Sequence, residues 1–331
     1  MAQAMEDTKA PAKLYRYRPF LKNEPDREIE ALTESYLYAP TFAQMNDPME
    51  AFYELNGTSD TVIREFVKGS EAGLIRLQNQ VKEISTNLGL ISFSTTNKDF
   101  PLWAYYASGF SGMCLEFDTA MLSKGELKNE NLAPVTYAET PLAPLGAIEF
   151  TKEETIRAVF NRKRIDWAHE KEWRYVTGAF GKRHYPDLAL KRIYLGPRVP
   201  DGYNERICAA VKKRPVEVLQ GVIKGYDLTF HTIQEVPVVE TWDRIGQGLF
   251  KVDEVLTDHT KADLERFLKN SFSSLLEMCK SLQLDPNLEE ITNISPSAKY
   301  KNTFFIQISR KFRNDNCVFD KVYFDNKVTL L

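Results

Sequence analysis

Strict alternation of apolar and polar positions marks Leu14-Tyr-Arg-Tyr-Arg18 as a strand closed by Pro19. A period of two puts Arg16 and Arg18 on one face of it and Tyr15 and Tyr17 on the other. The pattern then predicts a short helix over 28–33, an extended segment over 35–40 and a turn at Gln44-Met-Asn-Asp-Pro-Met-Glu50. Val62, Phe66, Leu74, Leu77 and Val81 recur at helical spacing within 59–86. Leu88-Gly-Leu-Ile-Ser-Phe-Ser-Thr-Thr96 reads as a strand entering a polar loop. A helix over 100–107 carries Pro101 in its first turn, and a strand follows a turn at Gly112-Met-Cys-Leu-Glu-Phe117. Beyond a less regular stretch with a strand at 134–137, a helix is predicted over 153–167. Its last turns hold Arg162, Lys163 and Arg164, which suits the helix dipole. Further strands are predicted over 188–195, 216–222 and 228–233, with a helix over 202–213. The texture changes near residue 240: 250–283 is mainly helical, 284–303 polar and turn-rich, and 304–308 and 318–328 are strands.

Between the helix at 153–167 and the strand at 188–195 lies Trp167-Ala-His-Glu-Lys-Glu-Trp-Arg-Tyr-Val176. Trp173, Tyr175 and Val176 favour an extended chain. On a strand, Glu170 and Glu172 would share one face, with Lys171, Trp173 and Tyr175 on the other. Two adjacent carboxylates on a buried face are costly without compensation. They are therefore either solvated or turned to a cleft that uses their charge.

A chain of 331 residues exceeds one usual compact domain, so two are expected. The expected division is a tail at 1–12, a larger domain at 13–238 and a smaller one at 240–331. A net charge of −3 excludes a broadly basic surface, though not a local basic patch. Cys114, Cys208, Cys279 and Cys317 lie far apart without metal spacing and read as reduced thiols. No signal peptide and no apolar run of ~18 residues is present, so a cytoplasmic protein without a membrane span is expected.

Several side chains are candidates for chemistry. Arg16 and Arg18 are either ordinary strand arginines or a forked anion site able to hold a pyrophosphate. Ser94, Thr95 and Thr96 are either strand-end hydroxyls or ligand partners. Asn46-Asp47-Pro48 is a structural turn, near which Glu50 could add a carboxylate to a cleft. Trp103, Tyr105 and Tyr106 form core or cleft wall, and an aromatic pair such as Trp103 and Tyr106 can stack on a flat ring. His169 beside Glu170 suggests a metal or general base, but His184, His231 and His259 are scattered, so no metal site is expected. There is no G-x-S-x-G, P-loop or G-x-G-x-x-G.

In order, Leu14-Tyr-Arg-Tyr-Arg18, Asn46-Asp-Pro-Met-Glu50, Ile91-Ser-Phe-Ser-Thr-Thr96, Leu102-Trp-Ala-Tyr-Tyr-Ala107, Gly112-Met-Cys-Leu-Glu-Phe117 and Glu170-Lys-Glu-Trp-Arg174 resemble the bacterial DUF2971 family over roughly residues 14–235. Tyr105 stands where that family usually has His, which puts a catalytic role there in doubt. Residues 240–331 resemble nothing comparable. The order strand-Arg, Ser-Thr-Thr, Glu-x-Glu also resembles the Arg–Ser–Glu class of ADP-ribosyltransferases. That resemblance implies an α+β fold, a split β-sandwich with flanking helices, followed by a smaller C-terminal α+β domain. It implies NAD as substrate and no metal. It assigns the NAD phosphates to Arg16, with Arg18 second, and the pocket brace to Ser94-Thr95-Thr96, with Thr96 in place of Ser. It gives Glu172 the nicotinamide ribose and Glu170 activation of the acceptor. The acceptor would be a macromolecule, protein or nucleic acid, or water in simple NAD hydrolysis. A toxin or anti-phage role, with the C-terminal domain recognising the target or restraining activity, follows by analogy. Two other readings compete. One is a hydrolase or nuclease using Asp47, Glu50, Glu170 and Glu172 around a divalent ion. The other is a non-catalytic nucleotide sensor.

Overall fold

Eight strands form the sheet that carries Arg16, Arg18, Ser94 and Glu172. The computed structural model describes residues 9–21, 26–45, 47, 86–128, 130–140, 158–268 and 272–330. Asn46, Pro48 and Glu50, most of the tail at 1–12, nearly all of the helix expected over 59–86 and the start of that over 153–167 lie outside them. The first unit runs β1 (Lys13–Arg18), α1 (Arg27–Thr33), β2 (Tyr36–Ala39), β3 (Gly89–Ser94), α2 (Phe100–Tyr106), β4 (Met113–Asp118), α3 (Thr119–Leu122), β5 (Asn131–Pro134), β6 (Thr136–Ala138) and β7 (Arg162–Arg164). It continues through β8 (Glu172–Thr177), β9 (Gly181–His184), β10 (Leu190–Leu195), α4 (Tyr203–Ala210), β11 (Glu217–Lys224) and β12 (Asp227–Gln234). The second unit holds α5 (Val252–Val255), α6 (Asp258–Leu268), α7 (Phe272–Leu282), β13 (Leu288–Pro296), β14 (Thr303–Lys311) and β15 (Cys317–Asp325). The protein is thus mixed α+β.

The large sheet has the order β12-β11-β10-β4-β1-β3-β8-β5, antiparallel except between β10 and β11. Alternation sorts its side chains onto two faces. Leu14, Phe93, Leu115, Phe117, Tyr175 and Ile193 pack with Leu32 of α1 and Ile207 of α4. On the other face Tyr17, Cys114 and Tyr194 pack against Leu102 and Trp103 of α2. β1 is in register with β4 along its whole length, but meets β3 only at Tyr15–Ser94. Beyond that pair the two strands diverge, and the sheet is split at its centre.

In the second unit β13, β14 and β15 form an antiparallel sheet. Phe304, Ile306, Ile308 and Phe324 pack on one face of it against Leu264, Leu268, Leu275 and Cys279 of the helices. Its junction with the first unit is polar. Arg313 Nη2 lies 2.8 Å from Asp187 Oδ2, Lys128 Nζ 3.1 Å from Asp320, and Asn314 and Asn316 both donate to Glu126. Among the described residues no helix is long and apolar enough to cross a membrane.

Three sequence expectations need correction. The helix predicted over 153–167 does not reach 167: Arg162–Arg164 is strand β7, in parallel register with β6, and Ile165–Glu170 is a 3-10 turn. Residues 284–303, read as turns, contain β13. Two register shifts, between Leu288 and Glu290 and between Ile291 and Asn293, place buried Leu288, Ile291 and Ile294 three apart. Such bulges erase the period-two signal. Glu170 and Glu172 do not share a strand face. β8 begins at Glu172, and Lys171 between them adopts a left-handed conformation at φ 47°.

Candidate active site

The split between β1 and β3 opens a gap beside Arg16. Arg16 reaches into the gap and donates from Nη1 to the Ser92 carbonyl and from Nη2 to the Tyr38 carbonyl, both at 3.1 Å. Its guanidinium is buried and has no carboxylate within ion-pair distance among the described residues. Burial, then the like charge of Arg18, lowers its pKa to about 9. A cation in that position is electrostatically receptive to an anion. Arg18, two residues on, is instead forked onto Glu28, with Nε 2.8 Å from Oε2. Burial pushes the Glu28 carboxyl up, but Arg18 and then Arg27 outweigh it and hold it below the usual carboxylate range.

On the opposite side of the split the chain builds a compact charged cluster. Glu172, 5% exposed, accepts from Arg174 Nε at 2.6 Å and Nη2 at 2.9 Å. Lys163 Nζ lies 2.6 Å from Glu170 Oε2 and 3.4 Å from Glu172 Oε2, so one ammonium sits between the carboxylates. The Tyr106 hydroxyl donates to Glu170 Oε1 at 2.7 Å, and the Glu172 backbone N–H donates to the Tyr137 hydroxyl at 2.8 Å. The two carboxyls titrate in opposite directions. Burial pushes Glu172 up, but the charge and hydrogen bonds of Arg174, then Lys163, hold it down at about 2. For Glu170, burial and the neighbouring Glu172 charge outweigh Lys163 and Tyr106 and raise the carboxyl above its ordinary value.

The hydroxyl residues set this cluster in place. Ser94 donates its hydroxyl to the Glu170 backbone carbonyl at 2.8 Å and accepts from the Thr96 N–H. Thr96 caps the loop that follows: its carbonyl accepts from the Tyr17 hydroxyl and its Oγ1 from the Lys98 N–H. Because β3 ends at Ser94, Thr95 and Thr96 belong to that loop, so Ser94 and Thr96 do not share a strand face. Trp103 is fully buried, stacks on Phe110 and donates its indole N–H to the Asn97 carbonyl, so it is core and not cavity wall.

By alternation Arg16 leaves the Leu14 face of the sheet, whereas Glu172, in register with Ser94 and Tyr15, belongs to the Tyr17 face. The parting of β1 from β3 nevertheless lets both line one cavity of ≈ 210 Å³, together with Arg18, Ser94, Tyr106 and Glu170. A second cavity of ≈ 540 Å³ shares Arg16, Arg18 and Tyr106 as walls and adds Arg27, Tyr38 and Tyr105. The larger volume is of the order of small-molecule pockets, and the smaller, which holds both carboxyls, is below it. Lys163 and Arg174 were not singled out from sequence. Arg174 was legible, because period two places it on the Glu172 face. Lys163 was not, because its segment reads as a helix end.

Residues 102–175 match the family model DUF2971, a protein of unknown function. The matched segment is narrower than 14–235; it holds Tyr106, Lys163, Glu170, Glu172 and Arg174 and leaves out Arg16. No curated protein and no solved structure matches the chain.

Proposed function

We propose that the chain cleaves the nicotinamide–ribose bond of NAD and passes ADP-ribose to a macromolecular acceptor or to water, on an ADP-ribosyltransferase-like split sheet. The supporting observation is the shared cavity, lined by a buried guanidinium that has no carboxylate within ion-pair distance among the described residues and by two carboxyls shifted in opposite directions. Environments that push paired carboxyls apart assign them different roles. Bond cleavage sends its electron pair to the nicotinamide nitrogen and leaves an oxocarbenium-like sugar. Glu172, held ionised, stabilises that cation and grips a ribose hydroxyl. The acceptor attacks C1′ and gives its proton to Glu170, whose raised pKa makes it the better base. Arg16 receives the pyrophosphate, and Arg18 and Arg27 border the larger cavity beside it. Tyr106 positions Glu170. A bacterial toxin or anti-phage role is the biological counterpart of this chemistry, by analogy with the families it resembles.

A metal-centred hydrolase is disfavoured by the position of Lys163, whose ammonium occupies the space between Glu170 and Glu172 where a divalent ion would sit. A non-catalytic nucleotide sensor is favoured by one feature, the complete pairing of Glu172 with Arg174. The deciding experiment incubates the protein with labelled NAD and cell lysate in EDTA. Nicotinamide release by wild type and a loss of about 10²–10³-fold in Glu172→Gln are expected. Release that persists in Glu172→Gln rejects the assignment. NAD binding without turnover in wild type selects the sensor, and activity abolished by EDTA selects the metal enzyme.

A further inference from the structure

The small sheet of the second unit has a face that its helices do not cover. Phe304, Ile306 and Ile308 point to the helices, so Phe305 and Gln307 point away, in register with Tyr323 and Lys321. The Phe305 and Tyr323 rings lie 6.0 Å apart, and Tyr300 meets Tyr323 edge-on at 5.1 Å. Phe319, in register with Ser309, is 60% exposed, and Tyr300 is 44% exposed. Ammonium groups lie over the rings: Lys321 Nζ is 4.3 Å from the Phe305 centroid and Lys299 Nζ 5.1 Å from that of Tyr300. Among the described residues no carboxylate is within ion-pair distance of either lysine. Two carboxylates share this face: Asp325, engaged by the Lys327 and Thr329 N–H groups, and Glu290 of β13, in register with Ser309 at the end away from Tyr300.

We propose that this face binds single-stranded nucleic acid. A strand of nucleotides satisfies both halves of the surface: every base has a π face to stack on Phe305, Tyr323 or Tyr300, and every phosphate can take an ammonium. On binding, a base replaces the lysine over the ring and the lysine moves to the adjacent phosphate. An acidic peptide would use the lysines and leave the rings uncovered. The overall charge of −3 argues against a broadly basic surface, so the attraction expected is that of a local patch. This site stands independently of the NAD reading.

The test is fluorescence anisotropy of labelled oligo-U and oligo-dT 12-mers with the full chain, across a salt series. Salt-weakened binding of one or both is expected, with oligo-U against oligo-dT separating RNA from DNA. Phe305→Ala/Tyr323→Ala is expected to weaken it at least about tenfold, given the usual worth of base–aromatic stacking. Phe305→Tyr/Tyr323→Phe, which keeps the rings, is expected to bind as wild type does. Lys299→Ala/Lys321→Ala is expected to flatten the log–log salt slope by about 1.4, at ~0.7 per phosphate. Should the alanine pair at 305 and 323 fail to fold, the lysine pair and the ring-conserving pair decide. Absence of binding, binding indifferent to these substitutions, or equal displacement of the oligonucleotide by polyglutamate would overturn the proposal.

Discussion

At the scale of single residues, Glu170 and Glu172 are two residues apart in sequence and share one lysine and one cavity, yet their proton affinities are shifted in opposite directions. Glu172 heads a strand and is forked by an arginine on its own strand face, whereas Glu170 closes a 3-10 turn and rests on a tyrosine and a lysine. The consequence for pH follows from the directions of their shifts. Glu172, depressed to about 2, contributes stability that is complete above the ordinary carboxyl range and is lost as pH falls toward 2. Urea midpoints measured at pH 6 and pH 3 should therefore differ less in Glu172→Gln than in wild type. That substitution also leaves Arg174 and Lys163 with less negative charge to answer, so a lower midpoint at pH 6 is expected. Glu170 is raised, so a rate that needs it as a base should climb with pH through an inflection above the ordinary glutamate value of ~4.3. The inflection should vanish in Glu170→Gln. A profile unchanged by that substitution would remove Glu170 from the proton-transfer role.

At the scale of elements, the strands around the cavity are held by close backbone approaches that side chains cannot enter. Gly112, between α2 and β4, is one such case, packed against β1. A Cβ there would strike the Arg18 carbonyl oxygen and come within 3.0 Å of Ala107 Cα. Gly112→Ala is expected to cost about 1–3 kcal/mol by overpacking, seen as a melting temperature several degrees lower. If it melts as wild type does, β1 and the loop before β4 are not packed as described. Element type was legible wherever one face met solvent or core in steady alternation, as in β1 and β4. It was illegible where bulges shifted the phase, as in β13, or where a tertiary partner overrode propensity, as in β7. There Arg162–Arg164 pairs with β6 in place of extending a helix.

At the scale of the whole molecule, Asp187 ties the two units together. It is 1% exposed and is reached by Arg214 at 3.2 Å, by Arg313 at 2.8 Å and by the Ser35 hydroxyl at 2.6 Å. Its backbone N–H also donates to Asn287 of the second unit. Asp187→Ala strands buried Arg214 without an anion and is expected to cost about 3–5 kcal/mol in urea unfolding. Arg313→Ala keeps the Asp187–Arg214 pair and removes one charged contact of the junction, leaving Lys128–Asp320 and the asparagine bonds to Glu126 in place. Its urea unfolding is expected to broaden toward two transitions, one for each core, relative to a single transition expected for wild type. A single, unshifted transition would mean that the Arg313–Asp187 contact does not couple them.

Residue order alone determined the mixed α+β composition, the alternation that pairs Arg16 with Arg18, and the nearness of two carboxylates at 170 and 172. These depend on local periodicity, which a linear chain displays in full. The tertiary structure decided what the charges do. Arg16 and Glu172 leave opposite faces of the sheet and share a cavity only because β1 and β3 part after a single pair. Lys163 comes between the carboxylates only because a strand replaces the end of a helix. Both facts concern the packing of elements distant in sequence, and side-chain periodicity carries no information about which strands will diverge.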